Sequence, residues 1–171
     1  MSQTSNSSSA PVTFSAAYKR IAQSERCDDV LACIAMIAGK TLQEVTAVAH
    51  SLGFAKHGPA NMSESLIAKV AMLSAQLVTS NYKDFDTFEA LPPLALLYVD
   101  YTDEMEIGRH VLWHRPSPVK GQESTITGAY IIDPGNWIEP KRQITQDFSH
   151  LRVDWFLSVH AAKPIPTKAK A

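Results

Sequence analysis

Gln23-Ser-Glu-Arg-Cys27-Asp28-Asp29-Val-Leu-Ala32-Cys33-Ile-Ala-Met36-Ile-Ala38-Gly39 is the stretch whose reading decides the fold. After two carboxylates it is almost entirely apolar, and Gly39 stands where a left-handed residue would stop a helix. The run from Asp28 to Ala38 therefore predicts a buried central helix. Thr41-Leu42-Gln43-Glu44 then forms a capping box, and Leu42, Val45, Val48, Ala49 and Leu52 recur at helical spacing up to Gly53. Past a turn around Gly58-Pro59, Asn61 and Ser63 precede the stripe Leu66, Ile67, Val70 and Leu73, which predicts a third helix.

Downstream the period changes. Leu94 to Tyr101, His110 to His114, Ala129 to Asp133 and Asp154 to His160 are short runs rich in β-branched and aromatic residues, each reading as a strand. Helices first and an antiparallel sheet afterwards is an α+β arrangement, with helices packed on the sheet and a cleft at their junction.

At 171 residues and 45% apolar composition, the chain can bury one sizeable core but is short for two. A single domain over residues 14–162 is expected. Residues 1–13 are polar and read as a disordered arm, and residues 163–171, with prolines and lysines, as a frayed tail. Sixteen basic and seventeen acidic residues leave a formal charge of -1, which supplies no field to hold a nucleic-acid backbone or an anionic membrane. No apolar run of membrane-spanning length and no secretory signal pattern occurs, so the expected compartment is the cytoplasm; a specialised secretion route would need neither. The two cysteines, Cys27 and Cys33, belong to no disulfide or zinc spacing. His110 and His114 are four apart in an extended strand, roughly 13 Å, too far to share one ion.

Gln23, the start of the first helix, His110 and Asp133 form a candidate set for thiol-type nucleophilic chemistry. A helix N-terminus acidifies a thiol, a histidine takes its proton, a carboxylate orients that histidine, and a side-chain amide donates to the oxyanion.

These residues resemble the papain-like peptidases that cleave double-glycine leaders during bacteriocin export in bacteria, together with their stand-alone relatives. That family carries a glutamine and, six positions later, a cysteine that starts a helix reading roughly A-C-L-A-M-I-A-G. Here Asn61 to Leu77 looks like the family's next helix, LPPLALLYV like its first strand, RHVLWH like its histidine strand and AYIIDPG like the strand ending in Asp-Pro. The resemblance covers about residues 18 to 140. It implies a papain-like fold, with Gln23 matching the oxyanion glutamine, His110 the base and Asp133 the carboxylate that orients it. It implies no cofactor.

The departure is at the centre. Six positions after Gln23, or ten before Gly39, stands Asp29 in the nucleophile position. Cys27 falls two residues early, and at about 100° per residue a helical Cys27 would point away from the face that holds residue 29. Cys33 lies one turn below on that same face, as a packing residue. A carboxylate at the helix start can satisfy free N–H groups and suits the local positive potential, but it is a poor nucleophile toward amides. The expectation is a catalytically degenerate domain, a pseudoenzyme that binds a peptide or protein segment in the former substrate cleft. The alternative is an active cysteine hydrolase, whether peptidase, amidase or deamidase, using Cys27 with His110 and Asp133.

Overall fold

The computed structural model describes residues 14–57, 61–117 and 128–163. The N-terminal arm, the Gly58-Pro59 turn and all but the first residue of the C-terminal tail lie outside these residues.

Three helices come first: α1 (Asp29–Ala38), α2 (Leu42–Ser51) and α3 (Glu64–Ala75). They are followed by β1 (Leu77–Thr79), β2 (Lys83–Asp84), β3 (Leu94–Thr102), β4 (Ile107–His114), β5 (Tyr130–Ile132), the short α4 (Pro140–Gln143), β6 (Ile144–Thr145) and β7 (Val153–Ala161). The strands form one antiparallel sheet in the order β1-β7-β3-β4-β5-β6, with β2 also pairing to β7. The molecule is thus α+β, with its N-terminal helices packed beside an antiparallel sheet.

The helices begin and end where local chemistry directs. Asp28 is the N-cap residue of α1, and Gly39, at φ 64°, ends the helix by donating its N–H to the carbonyls of Ala35 and Met36. Thr41 and Glu44 form the reciprocal capping box of α2. Ser63 caps α3 by accepting from the Leu66 amide. From Asp29 to Met36 every residue of α1 is buried, and Val30, Leu31, Ile34 and Met36 each contribute about 1.5–3 kcal/mol by leaving water. On α3 the buried stripe is Ile67, Val70, Ala71 and Ser74, spaced 0, 3, 4 and 7. Leu73, expected on that stripe, is 61% exposed because it lies one position off this spacing.

The sheet is covered on both faces, and strand alternation sorts its residues. Leu96, Leu112, Tyr130, Ile132 and Leu157 join the helices in one core cluster, whereas Ala95, Leu97, Val111, Trp113 and Ile131 form a second. His110 is in phase with Leu112 and faces α1. Arg109 is in phase with Val111 and faces the opposite side. Among the described residues no single helix is long and apolar enough to cross a membrane.

Candidate functional site

The site lies where the N-terminus of α1 meets β4. Pairing between β4 and β5 matches Leu112 with Ile132, so the same register would bring His110 opposite Pro134, which has no N–H to offer the His110 carbonyl and whose own carbonyl accepts from the Gln23 amide. The His110 backbone turns to α1 instead. Its N–H donates to Asp29 Oδ2 and its carbonyl accepts a weak contact from Cys33 Sγ at 3.9 Å.

Asp29 Oδ2 also lies 2.7 Å from His110 Nδ1. An oxygen that already accepts from the His110 amide is in the acceptor role toward the ring as well, so Nδ1 is the donor and the neutral ring carries its proton there. On the other side of the ring, Nε2 is 2.6 Å from the Tyr82 hydroxyl, which donates to it. Burial, with the neighbouring charges of Tyr98 and Asp29, raises the Tyr82 phenol well above its ordinary value and keeps its proton in place. Asp29, His110 and Tyr82 thus form one hydrogen-bonded chain. The carboxylate was expected to satisfy free N–H groups of its own helix; its hydrogen bonds instead cross to His110.

Asp133 does not orient His110. Its Oδ2 is 2.6 Å from Arg109 Nη1, and its Oδ1 accepts from the Gly135 amide at 2.9 Å. The cause is alternation: the residue after Ile132 falls on the sheet face opposite His110, where Arg109 also points. Burial opposes the charge on Arg109, but Asp133 and Asp100 together outweigh it and raise the guanidinium pKa. Arg20 anchors the same corner by donating to the carbonyls of Asp133 and Gly135.

Gln23 is buried near the helix start, yet its Nε2 donates to the Glu25 carbonyl at 2.8 Å and it does not line the cavity beside His110. Its backbone is held there by N–H donation to the Pro134 carbonyl. An oxyanion donor at Gln23 would require this amide to be released from the loop. Cys27 lies in the turn before α1, outside the helix. The helical rotation argument therefore does not apply to it, and it lines the same cavity as Asp29 and His110. Both ring nitrogens of His110 are engaged elsewhere. Cys33 is fully buried, and burial together with Asp29 and Asp133 pushes its thiol pKa well up, consistent with a packing role.

The cavity measures about 350 Å³. Tyr98 and Trp155 form its aromatic wall with Tyr82, because Trp155, Tyr98 and His110 stand side by side across β7, β3 and β4. Tyr98 is fixed by accepting the Gly108 amide at 2.7 Å. Gly108 is required beneath it, since a Cβ there would come within 2.8 Å of the ring. Tyr82, Tyr98 and Arg109 were not singled out in the sequence. Tyr82 sits in the aperiodic segment before β2, where no pattern marks it, but the phase of Arg109 against His110 was available from strand alternation.

Compared with known proteins, the chain matches no family model and no curated sequence.

Proposed function

We propose that this chain is a papain-like domain, similar to the double-glycine leader peptidases, that binds a peptide or protein segment in its cleft without cleaving it. The observation that carries this reading is the Asp29 carboxylate on His110 Nδ1. In the thiol mechanism an imidazole nitrogen takes the proton of a cysteine at this helix start; here a carboxylate occupies that place. Attack by Asp29 on an amide carbonyl would give a tetrahedral adduct that expels the carboxylate again more readily than the amine, returning the intact amide instead of an anhydride. Amide cleavage therefore does not proceed by that route. The hydrogen bonding of Gln23 to its own loop removes the side-chain amide that would stabilise an oxyanion. What remains is a concave surface of aromatic and aliphatic side chains interspersed with polar groups, the usual character of a binding site.

Cys27 lines the cavity, which favours the hydrolase alternative, but with both His110 nitrogens occupied it has no free base. The test is to incubate the purified protein with a library of eight-residue peptides, recover the bound fraction and weigh it by mass spectrometry. Binding with intact peptides is expected. Cleavage that disappears in Cys27→Ser would establish the hydrolase instead, and a library with no bound fraction would remove the peptide-binding reading.

A further inference from the structure

We infer that the cavity beside Asp29 selects a protonated amine carried by the bound peptide, a lysine side chain or an α-ammonium group; the inference rests on the peptide-binding reading above. Three independent features converge. The first is the carboxylate: Asp29 Oδ2 is committed to His110, while Oδ1 has no hydrogen-bond partner among the described residues and is not sealed from solvent. Asp29 lines the cavity and is only 7% exposed, so its charge is weakly screened there.

The second feature is the wall. Tyr82 and Tyr98 have ring centroids 5.8 Å apart and Tyr98 and Trp155 6.0 Å apart, with interplanar angles of 59° and 41°. All three rings line the cavity, and the face of an aromatic ring attracts an ammonium group, that of Trp most strongly. The rings are held: Tyr82 by His110, Tyr98 by the Gly108 amide. Little ordering is therefore left for binding to impose.

The third is size and lining. A cavity of about 350 Å³ lies at the lower end of the range for small-ligand pockets, and Met62 and Val30 add apolar surface for the methylene stem of a lysine. Arg26 also lines the cavity, but it is exposed, so water and salt screen its charge more than that of the buried Asp29.

The test is calorimetric titration at fixed pH with three probes: acetyl-Gly-Lys-Gly-amide, the same peptide with norleucine for lysine, and n-butylammonium chloride. The lysine peptide is expected to bind about tenfold more tightly than the norleucine peptide and more tightly than n-butylammonium. Asp29→Asn and Trp155→Leu, each checked for folding by circular dichroism, should each bring the lysine peptide down toward the norleucine value. Equal binding of the lysine and norleucine peptides, unchanged when the norleucine peptide is left unacetylated, would overturn the inference while leaving peptide binding itself intact. Binding of n-butylammonium as tight as the lysine peptide would assign the cavity to free amines and overturn the peptide part. If the peptide library yields bound peptides without enrichment in lysine or free N-termini, the inference fails and the broader reading stands.

Discussion

Asp29 and His110 meet through a single oxygen: Oδ2 of Asp29 accepts from the backbone amide of His110 and lies 2.7 Å from its Nδ1. One atom of α1 therefore sets both the strand position and the ring orientation of His110. The β4–β5 ladder ends at Leu112–Ile132, and the Pro134 carbonyl that the same register would offer to this amide accepts from the Gln23 N–H instead. Tyr82 closes the other side of the ring.

The Arg109–Asp133 pair is predicted to be structural. Asp133 is 1% exposed and depends on Arg109 for its counter-charge. Arg109→Leu would leave a buried carboxylate without its ion-pair partner, costing about 3–5 kcal/mol in urea unfolding. Adding Asp133→Leu should recover part of that loss, since replacing both partners removes the unpaired charge. A loss below about 1 kcal/mol for Arg109→Leu, the level of a surface pair, would contradict the assignment.

Alkaline stability should depend on Tyr82. Its folded-state phenol is raised by burial first, so above the ordinary phenol value of about 10 the unfolded chain has lost a proton that the folded chain keeps. Unfolding then releases a proton, and stability falls as pH rises. The contribution is complete below about pH 10 and is lost as pH climbs toward the folded value. Tyr18, Tyr98 and Tyr130 are raised by burial too, so the wild type alone does not isolate one residue. Tyr82→Phe should lose about 0.5–1.5 kcal/mol near neutrality through its missing hydrogen bond. Its urea midpoint should then fall less steeply between pH 9 and 11 than that of the wild type. Parallel slopes would show that Tyr82 does not titrate differently on folding.

The two thiols should separate cleanly. Cys33 is buried and its thiol is held protonated, whereas Cys27 is half-buried at the cavity. Iodoacetamide is expected to label Cys27 alone in the native protein and Cys33 only after unfolding. Native labelling of Cys33 would mean that α1 does not pack on β4 as described.

The α+β order and the three main helices were legible because capping signals and 3.6-residue spacing are local. Thr41 with Glu44, Ser63 and Gly39 act within one turn of themselves, and the four runs rich in β-branched and aromatic residues became β3, β4, β5 and β7. The two-residue strands β2 and β6 and the three-residue β1 carry too little pattern to be read, since they exist through pairing with β7 and β5. At the site, the meeting of α1 with His110 was expected from the order of elements together with the family resemblance. The role given to Asp133 did not hold, because spacing along the chain says which residues are near a strand end, whereas parity along the strand decides which face they reach. Tyr82 was hidden for a different reason: its partner is 28 residues away, and nothing local signals that contact.

The central claim is that Asp29 holds His110 by Nδ1. Long-range proton–nitrogen NMR of the His110 ring at pH 8 tests it most directly. The account predicts a protonated Nδ1 and an unprotonated Nε2 in the wild type, with the Nδ1 preference weakened in Asp29→Ala. A ring protonated at Nε2 and unchanged by Asp29→Ala would contradict it.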